Sequence, residues 1–131
     1  MSSHTILVFG TFDGIHAGHV SFLRQARLLG DRLVVVVARD ITVQVLKGRP
    51  PQHTEADRLD AVRALSLVDE AVLGDETLGE YAVVRQVGPE TIAIGHDQDA
   101  LSDHLTSWLS AASLPIPMRR LSRLAPSPPS V

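Results

Sequence analysis

The chain contains no cysteine, which excludes disulfides, a thiolate nucleophile and cysteine-ligated zinc. Aromatic residues are scarce, with three Phe, one Tyr and one Trp among 131 residues. There is no excess of basic charge either. The net charge of −3 argues against a general nucleic-acid binder, which carries a basic face. Long apolar runs are missing as well: the longest, Leu33 to Ala38, is far too short to span a bilayer. Met1-Ser2-Ser3-His4 leads straight into a strand-like run, with no signal-type pattern of a basic segment before an apolar one. With 44% apolar and 21% charged residues, a cytoplasmic globular enzyme or binding module is the default expectation, without membrane or nucleic-acid partners.

What is present is an alternation of strand and helix signals. Thr5 to Phe9 is a short β-rich run ending at Gly10, and Val20 to Leu29 keeps a helical period through Phe22, Leu23, Ala26 and Leu29. Gly30 suits a left-handed cap to that helix. Leu33 to Ala38 is continuously apolar, as in a parallel strand covered on both faces. Ile41 to Lys47 predicts a short helix closed by Gly48, and Thr54 to Asp57 an N-terminal cap for a helix burying Leu59, Val62 and Leu65. Glu70 to Leu73 and Thr91 to Ile94 are two further strands, with a helix over Leu78 to Val87 between them. Leu101, Leu105, Trp108, Leu109 and Ala112 then form a helical stripe, which makes Trp108 a packing residue. Ile116 to Leu121 predicts an edge strand behind Pro117. The pattern implies an α/β fold: a doubly wound, mostly parallel five-stranded sheet of order 3-2-1-4-5 with right-handed crossovers. Residues 1–124 are read as one domain, and 125–131, rich in Pro and Ser, as a tail.

In such a sheet ligands bind beyond the carboxyl ends of the strands, at the switch in strand order. The stretch Gly10-Thr11-Phe12-Asp13-Gly14-Ile15-His16-Ala17-Gly18-His19 falls there. It has neither the Gly-Lys-Ser/Thr of a Walker loop nor the glycine spacing of a dinucleotide fingerprint. It does supply free amides, a helix N-terminus and two imidazoles about one helical turn apart, which together suit negative charge developing on a phosphate oxygen. Two histidines are also half of a zinc site, but no further ligands stand nearby and no metal site is assigned. Gly95-His96-Asp97-Gln98 falls beside this turn if the strands at Thr5 and Thr91 are neighbours.

The motif Gly10-Thr11-Phe12-Asp13 with His16-x-Gly18-His19 resembles the signature of the cytidylyltransferase-like branch of the nucleotidyltransferases. Val37-Ala38-Arg39-Asp40-x-Thr42-Val43, Lys47-Gly48-Arg49-x-Pro51, Ala64-Leu65-x-x-Val68-Asp69-Glu70-Ala71-x-Leu73-Gly74 and Ile94-Gly95-x-Asp97-Gln98 look most like archaeal-type FAD synthase, an FMN adenylyltransferase. The resemblance implies transfer of AMP from ATP to FMN, giving FAD and pyrophosphate. It implies Mg²⁺ or another divalent cation with the nucleotide, and a homodimer. By its pattern His16, His19 and Lys47 are catalytic, and Gly10, Thr11, Phe12, His16, Ala17, Gly18, His19 and Asp97 hold the nucleotide.

Other readings of the same residues stay open. Lys47 also complements a helix C-terminus, and Asp97 could cap the next helix. Arg58 faces either phosphates or water; His4, His53 and His104 read as surface residues, and His96 as a pocket-edge residue. The family's fold equally serves CTP-dependent transfer to glycerol 3-phosphate, or a nucleotide-binding module without turnover. Two departures stand out. Ala17 occupies a position where the family pattern has proline. After Leu121-Ser122-Arg123-Leu124, the segment 125–131 lacks the Ser/Thr-rich helix start that the resemblance leads one to expect over the nucleotide phosphates. That part of the clamp is either absent, supplied by Arg119, Arg120 or Arg123, or replaced by a partner.

Overall fold

The sheet begins with its central strand. In the computed structural model, which describes residues 3–122, Thr5–Gly10 forms β1 and Arg32–Val37 forms β2. Glu70–Leu73, Thr91–Ile94 and Met118–Arg120 follow as β3, β4 and β5. All pairings are parallel and the order is β3-β2-β1-β4-β5, as the sequence predicts. Helices α1 (Ala17–Arg27), α2 (Asp40–Lys47), α3 (Glu55–Arg63), α4 (Ala82–Val87) and α5 (Asp99–Ala111) connect the strands. β1 runs beside β2 from Thr5 opposite Arg32 to Gly10 opposite Val37, and meets β4 at Ile6 and Leu7. The crevice between diverging connections therefore opens at the end of β1.

Side chains alternate across β1 and β2 into two cores. Ile6, Val8, Leu33, Val35 and Val37 pack with Leu23 and Ala26 of α1 and Leu59 and Val62 of α3. Leu7, Phe9, Val34 and Val36 pack on the opposite face with Val83 and Val84 of α4 and Leu105 and Leu109 of α5. Each fully buried aliphatic side chain contributes about 1.5–3 kcal/mol of burial free energy, so both layers clamp β1 and fix where its last residue lies. Trp108 joins the second layer, edge-on to Tyr81 with ring centroids 5.9 Å apart. No helix among the described residues is long and apolar enough to cross a membrane.

The structure differs from the sequence reading at several element ends. α1 starts at Ala17 rather than Val20, because His16 caps it. It closes at Leu28 in right-handed geometry, and Gly30 is no left-handed cap. A Cβ on Gly30 would lie 2.3 Å from the His4 carbonyl oxygen, so close chain approach explains that glycine. α4 starts at Ala82, not Leu78. The Asp75 carboxylate accepts from the amides of Ala82 (2.8 Å) and Val83 (3.0 Å), and Tyr81 takes a left-handed φ of 49°, leaving 78–81 outside the helix. β5 has three residues and lies at the edge, as Pro117 requires. The predicted boundary at Leu124, the tail 125–131 and Arg123 lie outside the described residues.

Candidate active site

The turn after β1 is built around a ring. Phe12 adopts a left-handed φ of 55° and folds back into the core, 2% exposed. Its ring passes over Gly10, where a Cβ would come within 2.5 Å of Cε2; only glycine leaves that space. Asp13 then ties the turn to the loop before α3. Its carboxylate accepts from the amides of Gln52 (2.8 Å) and His53 (2.9 Å) and contacts His53 Nδ1 at 2.9 Å. The Gln52 amide first, and the His53 side chain and amide after it, hold the Asp13 carboxyl down at about 2. His53, expected as a plain surface residue, is thus a structural partner of the turn. Asp13 had no assigned role in the sequence, because its partners lie 39 and 40 residues away.

His16 and His19 form a reciprocal cap on α1. The Gly18 amide donates to His16 Nδ1 at 3.0 Å, and the His16 amide donates to His19 Nδ1 at 3.2 Å. Because a backbone amide can only donate, both Nδ1 atoms are acceptors. In the neutral rings the proton therefore sits on Nε2, away from the cap. The rings stack with centroids 3.8 Å apart and planes 25° from parallel. A Cβ on Gly18 would lie 2.8 Å from His16 Cε1, so the glycine is what lets the imidazole fold over the helix end. Burial, then the neighbouring His16 and Lys47, hold the His19 imidazole below the usual histidine range, with Asp97 opposing. Ala17 sits at the first helical position, directly after the His16 cap.

A cleft of about 540 Å³ runs along this turn and brings the predicted residues together. Gly10, Thr11, Phe12, His16, Gly18, His19, Lys47 and Asp97 all line it, while Ala17 is exposed beside it. Lys47 serves both of its readings: it ends α2, closed by left-handed Gly48, and it reaches the cleft. Asp97 does not cap α5; the cap position is Gln98, and no side chain caps that end. Gln98 instead stitches two strand ends together. Its Oε1 accepts from the Gly95 amide at 2.8 Å and its Nε2 donates to the Phe9 carbonyl at 2.8 Å. His96 stands in the cleft wall, as expected. Arg120 is committed to the carbonyls of Gly95 and His96 and to Asp99, and Arg119 is exposed. Gln25 of α1 exchanges hydrogen bonds with the Ser122 backbone, which fixes the end of the described chain beside the cleft.

Arg58 faces neither phosphates nor water. It is 1% exposed and donates to the carbonyls of His53 (3.0 Å), Thr11 (2.9 Å) and Ala38 (2.7 Å) and to Asp40 (2.8 Å). Thr11 and Ala38 are the first residues after β1 and β2, so α3 grips the chain leaving both strands through one guanidinium. Peptide planarity gives this grip a consequence: the Phe12 N–H belongs to the same trans unit as the Thr11 carbonyl and points the opposite way. Arg58 thereby sets the direction of an amide in the cleft wall. Sequence offered one signal, a helix position otherwise shared with buried Leu59 and Val62.

Comparison with known proteins agrees with this geometry. The family described as Cytidylyltransferase-like matches residues 7–128. The chain is 40% identical over 119 residues to the FAD synthase of Pyrococcus horikoshii, covering 91% of this chain and 80% of that protein. It is 46% identical over 122 residues to the FAD synthase of Methanothermobacter thermautotrophicus, with the same coverages of 91% and 80%. Among solved structures, the lipopolysaccharide core biosynthesis protein from Thermoplasma volcanium superposes with a TM-score of 0.86 at 34% identity, covering 95% of this chain and 100% of that one. The chain belongs to the cytidylyltransferase-like family and, within it, to the FAD synthases.

Proposed function

We propose that the chain makes FAD by transferring AMP from ATP to FMN, with His16, His19 and Lys47 acting on the triphosphate. The reading rests above all on the stacked imidazole pair, whose Nδ1 atoms are both tied to the helix cap. That arrangement frees two Nε2–H donors on residues lining a cleft at a helix N-terminus, where charge on phosphate oxygens is favoured. FMN's phosphate is already ionised, so the nucleophile needs no general base. One of its oxygens bonds to the α-phosphorus of ATP as the bond from that phosphorus to the β-phosphate bridging oxygen breaks. Pyrophosphate leaves with the electron pair.

Catalysis on this scheme is positioning and charge stabilisation. His16 and His19 donate to triphosphate oxygens, and the Thr11 and Phe12 amides hold a further oxygen. Lys47 adds a full positive charge, and Asp97 orients the nucleotide. Among the described residues no three His, Asp or Glu side chains gather as a metal cage, and Asp13 is occupied by Gln52 and His53. This donor set suits a divalent cation carried on the triphosphate, the nucleotide entering as its magnesium complex.

Pyrophosphate release and FAD formation, measured for ATP or CTP against FMN and glycerol 3-phosphate, test the proposal. FAD forms from FMN and ATP with magnesium, and His16→Ala or His19→Ala lowers kcat on the order of 10²-fold or more. Release of pyrophosphate only with CTP and glycerol 3-phosphate would overturn the flavin assignment. Nucleotide binding without turnover for any pair would leave a binding module.

A further inference from the structure

A second cavity, of about 220 Å³, lies against the other core layer. It shares Phe9, Gly10, Thr11 and Gln98 with the phosphate cleft, so the two meet at the end of β1. Its apolar wall comes from Phe9, Val36, Leu46, Leu78, Tyr81 and Leu101. The one carboxylate there, Asp75, is already engaged by the amides of Ala82 and Val83, so no unpartnered acidic group faces an occupant.

Two of the wall residues have no folding reason to be where they are. Leu46 of α2 is 62% exposed and Leu78, in the connection between β3 and α4, is 49% exposed. A single exposed leucine is ordinary. Two from separate segments at one apolar cavity form a surface that a flat, largely apolar ligand would cover.

We propose that this cavity takes the isoalloxazine ring of FMN, with the ribityl chain crossing Gly10 and Thr11 to carry its phosphate into the histidine cleft. The proposal deepens the FMN reading above and rests on it. Shape and polarity separate it from its rivals. Glycerol 3-phosphate has no apolar part to fill such a space. The nucleotide cleft carries a polar edge, with His96 and Asp97, that suits the hydrogen-bonding rim of adenine and its ribose. Leu46 and Leu78 then decide which phosphomonoester attacks, while the histidines decide only that one does.

Steady-state FAD synthesis by the full chain carrying Leu46→Glu or Leu78→Glu tests this, with ATP binding titrated separately for each variant. Both side chains are exposed, so the variants fold, and unchanged ATP affinity verifies it. A glutamate in the ring's place strips its apolar cover and forces desolvation of a charge, so KM for FMN rises on the order of tenfold or more. KM for ATP stays within about twofold in the same variants, since the nucleotide lies elsewhere. Unchanged KM for FMN in both variants, with normal FAD synthesis, overturns the ring assignment and leaves the function standing. A rise confined to ATP places the nucleobase in this cavity and also overturns it. Failure of the unaltered chain to make FAD with any divalent cation removes the function itself, and the ring assignment with it.

Discussion

On the proposed mechanism His16 and His19 each do two things with one ring: Nδ1 holds the helix cap, and Nε2–H donates to the substrate. The two duties can be separated by substitution. Asparagine offers an amide oxygen near the Nδ1 position but does not reach as far as Nε2; alanine offers neither. A lost side-chain cap costs about 0.5–2 kcal/mol, and a lost transition-state donor costs on the order of 10²-fold in rate. His16→Asn is therefore expected to keep most of the stability that His16→Ala loses, while both lose the rate. Denaturant unfolding beside kcat measurements checks this, and a fully active His16→Asn would remove Nε2 from the chemistry.

Protonation is the second residue-scale prediction. The free position on the neutral His19 ring is Nδ1, so a proton added there displaces the His16 amide from its acceptor. The folded-state pKa of His19 lies below its ordinary value, so the folded protein resists protonation more than the unfolded chain does. Its stabilising contribution is complete above the ordinary histidine value and is lost as pH falls through the depressed one. The acid limb of kcat/KM, which reports the free enzyme, is expected below the usual histidine range. An acid limb above that range would contradict the environment described for His19.

Among the elements, α3 matters less for its own packing than for Arg58. Replacing Arg58 with Met strands the carbonyls of Thr11, Ala38 and His53 and leaves Asp40 without its cation. The Asp40 side chain is 43% exposed and stays in reach of water, so the cost falls on the stranded carbonyls. At about 1–3 kcal/mol for a buried acceptor left unpaired, a loss of about 2–4 kcal/mol in denaturant unfolding is expected for Arg58→Met. A change below about 1 kcal/mol would mean that water replaces the guanidinium. This residue also marks where sequence stops being informative. Strands, their order and the turn from Gly10 to His19 were legible because each follows from local periodicity and from one motif. Asp13, Arg58 and Gln98 were not, because their partners lie on other elements and only the folded sheet brings them near. Helix ends failed for a related reason. Leu78 to Val87 keeps a helical pattern, but the Asp75 carboxylate claims the amides of Ala82 and Val83 and starts α4 there.

For the molecule as a whole, the polar cleft that holds His16 and His19 and the apolar cavity meet at the end of β1, at Gly10 and Thr11. A product that joins both substrates should therefore engage both spaces at once, the second end binding at the high effective concentration set by the first. FAD contains AMP entire, so AMP measures the cleft alone and the difference measures the cavity. A ligand that binds only the folded state stabilises it by RT ln(1 + [L]/Kd), about 2.7 kcal/mol at a hundredfold excess over Kd. At equal concentration FAD is expected to raise the thermal midpoint well beyond AMP, as followed by far-ultraviolet circular dichroism. In Leu46→Glu the AMP shift should persist while most of FAD's advantage over it disappears. If FAD kept its full advantage in that variant, the two cavities would not be working as the two halves of one product site.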